Sequence, residues 1–247
     1  MLRRCIQRRM SSSFFNGKVA IVTGASGTIG GAIANALADD GATVFMAARR
    51  VEKMRMLERE GLHSIGTDIT DENSVVTLFE HVKKKCGKID LLINAAGIAA
   101  PDVSIEELSA ADFLQVLNVN VLGSFLCARE AFRHDCKRII NIGSISSMAP
   151  RPNSAAYTAS KFAIQGLNRA LALDGRQRNI SVGVLHPGNV ASELLSPEIF
   201  KQRQDQEGLL DLNDLVRSVL LMASMPPSAN VLELTIMPTT QPLVGRG

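Results

Sequence analysis

A chain of 247 residues can bury a large core, and a single α/β domain of this size is routine. Its formal net charge of +3, with the basic residues dispersed beyond the N-terminus, leaves no footprint for nucleic acid. Hydrophobic residues make up 46% of the chain, yet no unbroken apolar run of about 18 residues occurs, so no membrane span is expected.

The N-terminal segment stands apart. Met1 to Ser13 hold four arginines and three serines, and the first acidic residue is Asp39. Wound as a helix, Leu2, Cys5, Ile6 and Met10 share one side, with Arg3, Arg4 and Arg8 mostly opposite. That composition resembles a mitochondrial transit peptide, so residues 1–15 are expected to direct import. The alternative is a disordered basic tail on a cytoplasmic protein, with Met10 as a second start. The folded domain is expected over 16–247.

From there strands and helices alternate. The pattern predicts strand 18–23, helix 29–40, strand 43–48, helix 51–60, strand 63–67, helix 71–86 and strand 89–94. It continues with helix 109–134, strand 138–143, helix 156–178, strand 180–186, helix 211–224 and strand 231–236. Runs such as Leu91-Leu92-Ile93 and Ile139-Ile140-Asn141-Ile142 are apolar without alternation, as strands covered on both faces should be. The expected fold is α/β: a doubly wound, Rossmann-type, mainly parallel sheet of about seven strands with helices on both sides. Its functional site would gather at the carboxyl ends of the strands.

Three local patterns carry chemistry. After the first strand comes Gly24-Ala25-Ser26-Gly27-Thr28-Ile29-Gly30, and then a helix rich in small residues. Strand, glycine turn and helix in that order offer backbone N–H groups and a positive helix end to a pyrophosphate. The second strand ends in Ala48-Arg49-Arg50, where an NAD-binding unit would carry an acidic residue for the ribose hydroxyls. Arginines there, chiefly Arg49, would instead grip a ribose phosphate, so the expected cofactor is NADP(H). Finally, Tyr157 and Lys161 lie four apart in a helix and therefore on one face, with Ser144 thirteen residues before the tyrosine. An ammonium one turn away favours an ionised phenol, as proton transfer to and from a carbonyl oxygen requires.

Thr23-Gly24, Asn94-Ala95-Ala96-Gly97, Asn120, Ser144, Tyr157, Lys161 and Pro187-Gly188 occur in an order that resembles the short-chain dehydrogenases/reductases, over about Asn16 to Gln241. The resemblance implies that Tyr157 is the general acid of reduction and the base of oxidation. Lys161 would support it and bind the nicotinamide ribose, and Ser144 would polarise the substrate carbonyl. Asn120 would hold a relay water, with Asn118 as the neighbouring alternative. Gly24, Ser26, Gly27, Thr28, Ile29 and Gly30 would form the phosphate turn. Asp68 and Ile69 would meet the adenine, and Asn94, Ala95 and Gly97 the cofactor floor. Pro187, Gly188, Val190 and Ser192 would grip the carboxamide. Two positions depart from the compact branch of the family: Thr28 stands where glycine is usual, and Ala95 where asparagine is common. The family also implies a homodimer or homotetramer, pairing helices 109–134 and 156–178 through Ala156, Ala159, Ala163 and Ala170.

The substrate is less legible. Residues 193–212 should cover the site with Leu194, Leu195, Ile199 and Phe200 among charged groups, while Arg151 and Asn153 could face substrate. The ending Met237-Pro238-Thr239-Thr240-Gln241 resembles that of NADP-dependent 3-hydroxy-acid and serine dehydrogenases of the family. A small carbonyl or alcohol substrate is therefore expected. The alternatives are a 3-oxoacyl-thioester reductase of mitochondrial fatty-acid synthesis and a non-catalytic dinucleotide sensor. Cys5, Cys86, Cys127 and Cys136 show no metal-ligand or C-x-x-C spacing, and no metal is expected.

Overall fold

Both faces of every central strand are covered, and the side chains alternate between two cores. The computed structural model describes residues 13–192 and 197–243. In β1 (Val19–Thr23), Ala20 and Val22 point into one core while Val19 and Ile21 point into the other. β2 (Thr43–Ala48) divides in the same way, with Val44, Met46 and Ala48 against Phe45 and Ala47. That two-sided burial is why these strands read as unbroken apolar runs.

The sheet has seven strands in the order β3-β2-β1-β4-β5-β6-β7, and every pairing is parallel. The remaining strands are β3 (Leu62–Gly66), β4 (Leu91–Asn94), β5 (Arg138–Ile142), β6 (Ser181–Pro187) and β7 (Glu233–Ile236). The order reverses between β1 and β4, so the connections from these two strands part and leave a crevice at their carboxyl ends. Helix α1 (Thr28–Asp39) covers one face with Ile33, Ala34 and Leu37. Helix α3 (Glu72–Cys86) covers the other with Val75, Leu78, Phe79 and Val82. Asp71 caps α3 by accepting from Asn73 N at 2.9 Å, and Gly87 ends it at φ +73°.

Several elements differ from the expected ones. Helix α2 is confined to Val51–Arg55, because the chain turns at once into β3: Ser64 N donates to the Glu58 carboxylate at 2.9 Å, and Gly61 takes φ +79°. The long helix expected over 109–134 is α4 (Ala110–Leu117), a π-helical turn (Asn118–Leu122) and α5 (Gly123–Arg133). α6 (Ala155–Gly175) follows the prediction closely and ends in a 3₁₀ turn, Arg176–Arg178. The stretch left without an element contains α7 (Pro197–Gln206), followed by α8 (Leu212–Ala223).

The N-terminal boundary also moves. Phe15 is buried in the core and its N–H donates to Asp40 O at 3.2 Å, so the folded unit takes in residues before 16. Residues 1–12 of the expected leader, together with Glu193, Leu194 and Leu195, lie outside the described residues.

By length and composition alone, Ala110–Arg133 passes as a membrane span, with a mean hydropathy of 1.4, the weak signal that a core helix also gives. Its inner face explains part of that apolarity, since Leu126, Cys127, Ala128 and Ala131 pack on the sheet. Glu130 is buried there between Arg129 and Arg133. Its outer face leaves Leu114, Leu122 and Phe125 exposed.

Candidate active site and cofactor cleft

The cleft at the strand ends has two lobes, of about 420 Å³ and 440 Å³, which share Ile29, Ala95, Gly97 and Ser192 as walls. The first lobe is made largely of backbone. Gly24 takes φ +66°, and a Cβ there would stand 2.6 Å from Ala96 Cα. A Cβ on Gly30 would stand 2.5 Å from Gly24 O, so the turn closes against α1 only with hydrogen at both positions. Thr23 fixes the opposite wall: its Oγ1 accepts from Ala95 N and Ala96 N, both at 3.2 Å.

Gly24, Ser26, Gly27, Thr28, Ile29, Gly30, Arg49, Arg50, Asp68, Ile69, Ala95, Gly97 and Ser192 all line this lobe, as the sequence predicts. Thr28 opens α1. Ala48 ends β2 almost fully buried, with no acid beside it. The Asp68 carboxylate accepts from Thr70 N at 2.9 Å and from Thr70 Oγ1 at 2.7 Å. These bonds, with a smaller pull from Arg49, hold its carboxyl below the usual carboxylate range. Arg50 approaches the glycine turn, 3.4 Å from both Ser26 Oγ and Ser26 O. Donors, glycine contacts and the free helix end fit a dinucleotide.

The second lobe brings Ser144, Tyr157, Lys161, Pro187, Gly188, Val190 and Ser192 together. Ser144 follows β5; its Oγ accepts from Ser146 N at 3.1 Å, which leaves its hydroxyl hydrogen to donate elsewhere. Tyr157 and Lys161 project from one face of α6, with Nζ 5.5 Å from the ring centroid. Lys161 Nζ also donates to Ile142 O at 3.0 Å, which ties it to β5.

Asn120 and Asn94 line neither lobe; they brace the walls. Asn120 Nδ2 donates to Ile98 O and Ser160 Oγ, both at 3.0 Å, while its Oδ1 accepts from Ile98 N at 2.8 Å. Both amide hydrogens are used, so any water at Asn120 must meet its oxygens. Asn118, the alternative, is exposed. Asn94 Nδ2 donates to Asn141 Oδ1 at 3.0 Å, and Asn94 Oδ1 is buried without a partner.

Sequence reasoning missed the groups that support this lobe. His186 on β6 is fully buried, with Nδ1 2.9 Å from Ser147 Oγ and 3.1 Å from Ser144 O. Burial holds its ring below the usual histidine value. Arg151 and Asn153 line the substrate lobe, but both terminal nitrogens of Arg151 meet the Glu207 carboxylate, and Nη2 also donates to Asn189 Oδ1 at 3.2 Å. Gln241 Oε1 accepts from Asn189 N at 2.8 Å. Residues so far apart in sequence leave no spacing to read. Cys127 and Cys136 are buried, and burial pushes both thiols up to about 12, so they are inert packing.

A parallel doubly wound sheet, a glycine turn at its switch point and a serine, tyrosine and lysine beside it define a dinucleotide-dependent oxidoreductase. Residues 18–203 match the short chain dehydrogenase family, and the chain belongs to it. It is 34% identical over 238 residues to farnesol dehydrogenase of Aedes aegypti, covering 90% of this chain and 96% of that one. It is 36% identical over 185 residues to L-fucose dehydrogenase of Mus musculus, covering 73% and 68%. Among solved structures, the NADH complex of 3-ketoacyl-(acyl-carrier-protein) reductase from Brucella melitensis matches with a TM-score of 0.83 and 28% identity. That match covers 92% of this chain and 99% of the other. The cofactor is thus a nicotinamide dinucleotide, while the relatives' substrates diverge.

Proposed function

We propose that the protein is an NADP(H)-dependent oxidoreductase that interconverts a small ketone or oxo acid and the corresponding secondary alcohol. One observation carries the reading: Ser144, Tyr157 and Lys161 share a lobe that opens directly onto the glycine-turn cleft. The bound cofactor supplies or accepts the hydride. In reduction, the Tyr157 hydroxyl gives its proton to the carbonyl oxygen, and in oxidation the phenolate takes it back. The Lys161 ammonium stabilises that phenolate. Ser144, whose Oγ already accepts from Ser146 N, donates to the same substrate oxygen. Arg49 and Arg50 beside Ala48 favour a ribose phosphate over free hydroxyls.

The deciding experiment follows NADPH oxidation across ketones, oxo acids and 3-oxoacyl thioesters. Turnover of a small ketone or oxo acid supports the reading. Turnover of thioesters alone makes the protein a 3-oxoacyl reductase, the function named for the Brucella structure. Turnover of nothing, with dinucleotide still bound, makes it a sensor.

Two further properties belong to the same proposal. Ala159, Phe162 and Ala170 are exposed on α6, beside Leu114, Leu122 and Phe125 of the neighbouring helices, whereas Ala156 is buried within the protomer. We assign the exposed apolar face to a two-fold contact in a homodimer or homotetramer. Light scattering that shows a micromolar monomer overturns it. The basic leader is assigned to mitochondrial import, and a reporter carrying residues 1–15 that stays in the cytosol overturns that.

A further inference from the structure

Arg151 and Arg203 both reach the substrate lobe, and their electrostatic situations differ. Arg151 is neutralised by the fork it forms with Glu207, whose carboxylate also accepts from Asn189 Nδ2 at 2.8 Å. Arg203, on α7, is half-buried over the same lobe, and no carboxylate of the described residues lies within ion-pair distance of it. Its neighbours are Arg151, Glu207, Tyr157 and Asp102, and burial disfavours its charge more than any of them does. Glu207 is already committed to Arg151, and Asp102 is exposed to solvent, which screens it.

A guanidinium does not give up its proton, so a half-buried one with no paired carboxylate carries a desolvation cost that an incoming carboxylate would offset. The lobe it faces also holds Tyr157 and Ser144, which would grip the reacting oxygen of a substrate. We propose that Arg203 is the anchor for a carboxylate on the substrate, and therefore that the natural substrate is a hydroxy acid and its oxo-acid product. The inference rests on the oxidoreductase reading and narrows it. The lobe, at about 440 Å³ with Pro187 and Gly188 in its wall, has the ordinary size of a small-molecule site. Tyr157 and Arg203 line the same lobe, so one ligand can present an oxygen to the first and a carboxylate to the second. Arg203 is thus a specificity residue, and Arg151 a structural one that holds α7 over the site.

The test measures binding before turnover. Lactate, 3-hydroxybutyrate and 4-hydroxypentanoate, each with its neutral amide, are titrated calorimetrically into the full chain saturated with whichever of NADP⁺ and NAD⁺ binds tighter. At least one acid should bind about 10–100-fold tighter than its amide, the range for hydrogen bonds to a charged group. Arg203→Gln should bring that acid down to the level of its amide. Arg203→Lys, which keeps the charge without the fork, should retain part of the preference and shows that a loss in the Gln variant is not misfolding. The proposal is overturned if no acid outbinds its amide, or if both variants keep the full preference. It is also overturned if Arg203→Gln weakens acid and amide equally, which would make Arg203 a partner of Tyr157 or of the fold. An acid that binds through Arg203 yet is never oxidised leaves the anchor standing and refutes the oxidoreductase reading instead.

Discussion

The cofactor lobe and the substrate lobe meet along one crevice but are built from different material. The cofactor lobe is backbone: a left-handed Gly24, a Gly30 whose Cβ would meet backbone, and amides pinned to Thr23 Oγ1. The substrate lobe depends on side chains that cross the fold, from Arg151 before α6 to Glu207 beyond α7 and Gln241 near the C-terminus. Backbone cradles recognise what all dinucleotides share and leave little to vary. A roof of side chains can be rebuilt one residue at a time. Relatives at 34–36% identity with different substrates in their names fit that division.

The sharpest way to separate the two lobes is Tyr157→Phe. It removes the proton donor and keeps the ring, so turnover should fall by about 10²–10⁴-fold while cofactor affinity stays within about twofold. Turnover near wild type would mean that another group supplies the proton. Loss of cofactor binding would mean that the lobes are not separable at this residue.

In the cofactor lobe, Ala48→Asp places a carboxylate where a ribose phosphate would sit. Wild type should prefer NADP(H) by about 10–100-fold, from one or two charge-assisted hydrogen bonds, and the variant should reverse this. Comparison of kcat/KM with the two cofactors decides it, and a wild type that takes NADH as well as NADPH refutes the reading of Arg49 and Arg50. Gly30→Ala attacks the same lobe through sterics. Its Cβ meets backbone at 2.5 Å and cannot be relieved by a rotamer change, so stability should fall by about 1–3 kcal/mol, with dinucleotide affinity falling too. A melting temperature unchanged from wild type would show that the turn yields.

This contrast also explains how far the sequence could be read. The glycine turn, the Tyr157–Lys161 spacing and the apolar strands were legible because each is a local rule: a conformation, a helical period or a two-sided burial. Even there, the break at Asn118–Leu122 stayed hidden, since a single π turn is too short for its different period to show in the apolar pattern. Residues 197–206 gave no helical signal because the segment is strongly polar, and it is held from outside by Arg151 gripping Glu207. Arg151 does line the substrate lobe, but its pairing with Glu207 was hidden because sequence shows a charge and not its partner. His186 looked like one more residue of a buried strand, yet it touches the loop that carries Ser144.

That histidine supplies the smallest and most specific prediction. Its Nδ1 is bonded to the Ser144–Ser147 turn, and its Nε2 is buried with no partner, so a second proton on the ring would be unsatisfied. Burial accordingly holds the ring below its ordinary value of 6.5; Lys161 and Arg169 push the same way, against the Ser144 bond and Glu233. The unfolded chain then takes up a proton at higher pH than the fold does. Unfolding consumes a proton in the window just beneath 6.5, so stability is full above that pH and declines as pH falls through it. His63 is depressed in the same direction by burial and by Lys85, but it is common to both proteins in a comparison of wild type with His186→Asn and cancels. The variant should have a lower melting temperature at pH 7.5 and a flatter decline between about pH 7 and pH 5. Parallel declines in the two proteins would show that the buried ring does not titrate there, and that the Ser144 turn is held independently of its charge.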